Sequence, residues 1–297
     1  MIEKNTGFIA ILGRPNVGKS TLLNAILGKK VAIVSSKPQT TRNRILGIYN
    51  SEESQMVFVD TPGHFKPKDR LGDFMMRTVV DAMEDIDCGI LVTEAARKIS
   101  PSEEELISKF EKSKMPLILV INKIDVYTPE DIGETIRIFS ERFEFSDVVP
   151  LSADKGKGID VLLSCVEKYL IKGPLFFSED TVCDVSDSFM ICEIVREKLL
   201  RLLDKEVPHG IAVEVEKMEQ RQDKDILEIG VVICCEKDSH KGIIIGKRGD
   251  MLKKISTYSR QDMEKFFGQK VYLTCFVKVK NDWRNNANLM RNFGFYE

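Results

Sequence analysis

Two short glycine-punctuated loops of different chemistry, at opposite ends of the chain, constrain what its 297 residues can fold into: Gly13-Arg14-Pro15-Asn16-Val17-Gly18-Lys19-Ser20 and Gly246-Lys247-Arg248-Gly249. The first follows the apolar run Phe8 to Leu12 and opens a stretch with helical spacing. Backbone N–H groups gathered at a helix N-terminus point at a phosphate chain. Lys19 can neutralise its terminal groups, and the Ser20 hydroxyl can ligate Mg²⁺. Thr21 completes this cofactor-binding run.

The length predicts two domains, because single hydrophobic cores rarely grow so large. The net charge of −2 hides an asymmetry: residues 236–297 carry 13 Lys and Arg against 7 Asp and Glu, so the basic excess is C-terminal. Seven cysteines without C-x-x-C or Cys/His metal spacing read as reduced, packed thiols of a cytoplasmic protein. The opening Met1-Ile2-Glu3-Lys4-Asn5 lacks the features of a signal peptide, and runs such as Leu117 to Ile121 are too short to span a bilayer.

Residues 7–170 alternate short apolar runs with amphipathic stretches, the pattern of an α/β domain around a mostly parallel six-stranded sheet with helices on both faces. Strands are predicted at Gly7 to Leu12, Ile45 to Tyr49, Gln55 to Val59, Cys88 to Val92, Leu117 to Ile121 and Val148 to Leu151. Helices are predicted at Lys19 to Leu27, Phe74 to Ala82, Ser102 to Lys112, Pro129 to Phe143 and Gly158 to Leu170. Gly173-Pro174-Leu175 then stops the chain, and the acidic, serine-rich stretch that follows reads as a connection. The expected division is a nucleotide-binding domain over residues 1–172, a linker over 173–188 and a small α+β domain over 189–297. The last is read as a helix at Phe189 to Asp204, strands at Ile211 to Met218 and Ile226 to Cys235, a glycine-punctuated loop, a helix at Asp250 to Phe267 and a strand at Val271 to Lys280.

Asp60-Thr61-Pro62-Gly63 follows a predicted strand, so Asp60 can hold a metal-bound water and Gly63 can offer its N–H to a γ-phosphate. Asn122-Lys123-Ile124-Asp125, also at a strand end, resembles the guanine-specificity motif of the GTPase superfamily. A carboxylate at Asp125 accepts from the ring N–H and exocyclic amine of guanine, which adenine lacks in that place. Ser152-Ala153-Asp154 resembles the last base-contacting loop of that superfamily. Thr41, in Gln39-Thr40-Thr41-Arg42-Asn43, stands where the superfamily places the threonine that ligates Mg²⁺ only when the γ-phosphate is present. Two readings of His64 stand: an imidazole that orients the attacking water, or a solvent-facing histidine without a catalytic role. Asn16 resembles the P-loop asparagine of a GTPase subgroup in which it helps bind K⁺, which implies K⁺-stimulated hydrolysis. The catalytic set is thus Lys19, Thr41, Gly63 and His64, and the metal set Ser20, Thr41 and Asp60, with Asn16 for K⁺.

In the C-terminal domain, Lys241-Gly242-Ile243-Ile244-Ile245-Gly246-Lys247-Arg248-Gly249 contains the G-x-x-G of a KH domain, a loop between two helices that clamps single-stranded nucleic acid. Its glycines let phosphate approach the backbone, Lys247 and Arg248 add salt-sensitive attraction, and Ile243, Ile244 and Ile245 are expected to line the groove for the bases. Two strands before the loop and one after it fit the type II KH order.

Through all these motifs the chain resembles the Era family of the TrmE-Era-EngA-like GTPases, along nearly its full length. The resemblance implies a GTP/GDP- and Mg²⁺-dependent GTPase that binds the 3′ end of 16S rRNA in maturation of the 30S subunit. It also implies a cytoplasmic protein, expected to be a monomer, with peripheral contact to the inner membrane. Relatives usually carry an apolar residue in place of His64 and G-K-G-G in place of Gly246 to Gly249. The alternative of a different class is an RNA-binding assembly scaffold whose nucleotide turns over negligibly.

Overall fold

The computed structural model describes residues 3–96, 98–221 and 225–295. The outermost residues of both expected domains, 1–2 and 296–297, lie outside them. Two compact units emerge, one from residues 1–34, 41–66 and 75–184, the other from residues 35–40, 67–74 and 185–297.

The first unit contains β1 (Glu3–Leu12), α1 (Lys19–Leu27), β2 (Ile45–Asn50), β3 (Ser54–Asp60), most of α2 (Arg70–Asp81), β4 (Cys88–Glu94), α3 (Pro101–Ser113), β5 (Leu117–Asn122), α4 (Pro129–Arg142), β6 (Asp147–Pro150), α5 (Ile159–Glu167) and β7 (Ile171–Pro174). Its sheet runs β2-β3-β1-β4-β5-β6, with only β2 antiparallel along that path. β3 and β5 are buried at every residue, as strands covered on both faces must be. On one face Ala10, Leu12, Leu91, Leu119 and Ile121 meet Val79 of α2, Leu106, Ile107 and Phe110 of α3 and Phe139 of α4. α1 packs against β2 and β3.

A seventh strand was not legible in the sequence. β4 pairs β1 only from Ile9 onward, which leaves the first half of that edge open, and β7 fills it antiparallel at Glu3 to Thr6. Residues 173–184, expected as linker, pack within this unit. The Phe176 and Phe177 N–H groups both donate to Gln55 Oε1, at 2.8 and 3.0 Å, and the Ile48 N–H donates to the Val182 carbonyl at 2.8 Å. The exposed edge of β2 is thereby covered.

The second unit contains α6 (Asp187–Leu202), β8 (Ile211–Gln220), β9 (Ile226–Cys235), α7 (Asp238–Ile245), α8 (Asp250–Phe267), β10 (Lys270–Val279) and α9 (Ala287–Asn292). β9 lies between antiparallel β8 and parallel β10, and α7 and α8 form the crossover that a parallel pair requires. Ile229, Val231 and Ile233 of β9 pack with Ile191, Ile194 and Val195 of α6 and Ile255 and Met263 of α8. The expected glycine-punctuated loop therefore contains a helix, α7, whose Ile244 is held in this core. The tail carries the one tryptophan: Trp283 is fully buried, donates Nε1–H to the Gly210 carbonyl at 2.9 Å and stacks on Phe295.

Candidate functional site

The phosphate loop, Asp60 to His64, Asn122 to Asp125 and Ser152 to Asp154 all leave the C-terminal ends of neighbouring parallel strands. That is where an open α/β sheet forms its ligand crevice. Asn122 fastens three of these loops together. Buried at the end of β5, it donates Nδ2–H to the Val17 carbonyl at 2.9 Å, and its Oδ1 accepts from the Lys123 and Ala153 N–H groups at 2.8 and 3.0 Å. Gly18 makes this closure possible: its φ is 99°, and a Cβ there would lie 2.3 Å from Asn122 Nδ2. Lys123 Nζ donates to the Asn16 carbonyl at 2.9 Å and pairs with Glu94 at 2.8 Å.

Lys19 is buried inside the loop, its Nζ donating to the Gly13 and Arg14 carbonyls at 3.1 and 3.0 Å. Burial lowers its pKa to about 8, partly opposed by the charge of Asp60. Burial raises the Asp60 carboxyl to about 6 against the opposing influence of Lys19 and the hydroxyls of Ser20 and Thr41. Ser20 Oγ donates to Asp60 Oδ2 at 2.7 Å and lies 2.8 Å from Thr41 Oγ1, which is 3.4 Å from the same carboxylate oxygen. Asp60 Oδ1 is buried without a hydrogen-bond partner. Two hydroxyls and a carboxylate, with one buried acceptor oxygen left over, make a hard oxygen donor set that fits Mg²⁺.

At the base end, Asp125 is exposed, and Ser152 Oγ donates to its Oδ1 at 2.5 Å. That bond holds the carboxyl below the ordinary aspartate range, so it stays an acceptor. His64 is buried, which removes the solvent-facing reading. Its N–H donates to the Gly13 carbonyl at 3.1 Å, Nε2 lies 3.4 Å from Glu105 Oε1, and Nδ1 has no partner. Burial lowers its pKa, so the neutral imidazole is favoured, with Glu105 opposing the shift. Sequence reasoning missed the support of Arg14: its Nε donates at 2.9 Å to the fully buried Glu103, which also accepts from Thr93 and closes the capping box of α3. The box itself was legible as Ser100 followed three residues later by Glu103.

In the second unit, Gly246 to Gly249 form the tight turn between α7 and α8, with Lys247 and Arg248 exposed at its tip. Gly246 has φ 76°, and a Cβ there would lie 2.6 Å from that of Met251. Lys241 is half-buried and Gly242 exposed. The isoleucine run does not line one groove as expected. Successive helical side chains turn by about 100°, so Ile244 enters the core while Ile243 is exposed and Ile245 half-buried. The adjoining cleft, of about 380 Å³, is lined instead by Gly249, Leu252, Lys253, Ser256 and Arg260 of the loop and α8 and by Leu273 and Cys275 of β10.

Fold and site together define a P-loop GTPase joined to a KH module. A family model described as "50S ribosome-binding GTPase" matches residues 8–123, and a KH-domain model matches residues 206–284. GTPase Era of Clostridium botulinum (strain Langeland / NCTC 10281 / Type F) is 49% identical over 290 residues, covering 98% of each chain. GTPase Era of Clostridioides difficile (strain 630) is 46% identical over 291 residues, again covering 98% of each. The chain belongs to the Era family of GTPases. Two Era crystal structures superpose with a TM-score of 0.95 at 39% identity, covering 99% of this chain and 100% of theirs. One is an Aquifex aeolicus variant bound to GDP and AlF4⁻, the other a complex with MgGDPNP and nucleotides 1506–1542 of 16S ribosomal RNA.

Proposed function

We propose that the protein is a GTP-hydrolysing switch whose KH unit binds the 3′ end of 16S rRNA during maturation of the 30S subunit. The observation that carries this reading is the meeting of Thr41 with Ser20 and Asp60, because it joins a threonine from the loop before β2 to the metal ligands that follow the phosphate loop and β3. Mg²⁺, when bound there with nucleotide, supplies charge neutralisation for the phosphates. The chain's own residues do the rest. Lys19 neutralises the β- and γ-phosphates, the Gly63 N–H addresses the γ-phosphate, Asp125 and Ser152 with Ala153 read guanine, and His64 orients water through its unpartnered Nδ1. Asn16 assists a K⁺ ion beside the phosphates. Lys247, Arg248 and the cleft along α8 take the RNA backbone and bases.

Residues 1–172 supply the GTPase site and 189–297 the RNA-binding site, with 173–184 packed on the first unit, in a monomer working in the cytoplasm. No helix among the described residues is long and apolar enough to cross a membrane, so contact with the inner membrane would be peripheral. Multiple-turnover GTP hydrolysis, measured with and without a single-stranded RNA ending in the small-subunit rRNA 3′ sequence, tests the reading. Stimulated turnover supports the switch; a flat trace in K⁺ supports an RNA-binding scaffold that holds nucleotide structurally. Equal rates in K⁺ and Na⁺ would remove the role given to Asn16.

A further inference from the structure

The residues just ahead of Thr41 group with the second unit rather than with the nucleotide-binding unit. These are residues 35–40, and one basic side chain of α6, Arg196, and one of their own, Lys37, hold them there. Arg196, at the centre of α6, is almost wholly buried, an unusual place for a guanidinium unless each face of it has a task. One face is fixed by Glu193 one turn earlier, Nε to Oε1 and Nη2 to Oε2 both at 2.6 Å. The other face donates to two successive backbone carbonyls, Nη1 to Gln39 at 3.4 Å and Nη2 to Thr40. Lys37 Nζ donates to the Leu203 carbonyl just beyond α6 and pairs with Asp204 at 3.1 Å. A planar fork bridging adjacent carbonyls fixes the direction in which the chain leaves residue 40, which a single flexible ammonium does not. The next residue is Thr41.

α6 is also fastened to the RNA-facing part of its unit. Lys198 pairs with the fully buried Glu197 at 2.8 Å and with Asp262 of α8, the helix that begins at the Gly246 to Gly249 loop. We infer that Arg196 is a positioning residue that sets Thr41 for the nucleotide-metal site through the Gln39 and Thr40 carbonyls, and so links RNA engagement to the GTP-bound state. This deepens the proposed function and rests on it. The nature of the link follows from thermodynamics: whatever favours one arrangement of residues 39–41 favours every ligand that prefers that arrangement.

The test uses the full chain with Arg196→Gln, Arg196→Lys and Glu193→Gln. Fluorescent GDP and GDPNP are titrated with Mg²⁺ present, each with and without the single-stranded rRNA 3′ oligonucleotide, and thermal unfolding is followed in parallel. In Arg196→Gln, GDPNP affinity should fall about tenfold or more, the loss expected for hydrogen bonds from a charged donor, while GDP affinity changes less than about twofold. RNA should no longer tighten GDPNP. Arg196→Lys should behave like Arg196→Gln although it keeps the charge, and Glu193→Gln should shift the same ratio by less, giving a readout even if Arg196→Gln does not fold. Equal weakening of GDP and GDPNP, tracking a lowered unfolding midpoint, would show a purely structural arginine and overturn the inference, as would unchanged ratios. If the unaltered protein binds RNA equally with GDP and GDPNP, the proposed switch falls, whereas the GDP-to-GDPNP ratio of the variants without RNA still decides the role of Arg196.

Discussion

Replacing Asn122 by alanine removes three hydrogen bonds, two buried and one partly buried, that join the phosphate loop, Lys123 and the Ala153 loop, without altering the side chains of Lys19 and Asp125 assigned to the phosphates and the base. Each is worth about 1 kcal/mol net, with more lost where the abandoned partner stays buried, so the combined loss is about 3 kcal/mol. At 1.4 kcal/mol per decade this is about 100-fold, divided between stability of the nucleotide-free protein and affinity for nucleotide. Asn122→Asp separates the parts: it keeps the acceptor toward Lys123 and Ala153 but sets a carboxylate oxygen against the Val17 carbonyl, loosening the phosphate loop alone. Calorimetric titration with GDP and GDPNP, together with thermal unfolding without nucleotide, measures both shares. Both nucleotides should weaken in parallel, with guanine preference over adenine unchanged. A combined change below about threefold, or a loss confined to guanine discrimination, would refute a bolting role and make Asn122 a base reader.

Other consequences follow from the same geometry. Asp125→Asn should move preference from guanine toward xanthine nucleotides in competition binding. Because the Ser152 bond holds Asp125 below the ordinary aspartate range, guanine preference should stay flat down to about pH 5, and a decline already near neutrality would contradict that bond. Gly246→Asp forces a side chain toward Met251 at positive φ and sets a carboxylate where phosphate should approach; RNA affinity should fall about 100-fold or more while GDP affinity holds. For His64 the sign runs toward acid lability. Its folded-state pKa is depressed, so below the ordinary histidine range the unfolded chain binds a proton that the native state resists, and stability falls with pH. His64→Asn should flatten that fall in denaturation midpoints measured from neutrality to pH 5.

The nucleotide site was legible because each of its loops combines a required residue type with a preceding apolar strand, as Lys19-Ser20 after Leu12 and Asn122 after Leu117 to Ile121 show. The pieces that escaped lack local pattern. β7 is four residues long and contains Gly173 and Pro174, so only the open edge of β1 makes it a strand. α7 has a glycine and three isoleucines in eight residues and no side-chain cap, and burial of Ile244 sustains it where propensity would not. Trp283 lies beyond Lys280, where the last expected element ends, and its bond to Gly210 joins positions far apart in sequence. Arg196 and the pairing of Arg14 with Glu103 were missed for the same reason: their meaning lies in carbonyls and side chains brought to them by the fold.

The measurement that tests the account most directly is the affinity of the fluorescent rRNA 3′ oligonucleotide for the protein saturated with GDP and then with GDPNP, at one fixed salt concentration. Coupling of the usual size predicts binding about 5-fold or more tighter with GDPNP, and an equal tightening of GDPNP by RNA. Identical RNA affinity in the two nucleotide states would contradict the switch and leave two independent binding modules on one chain.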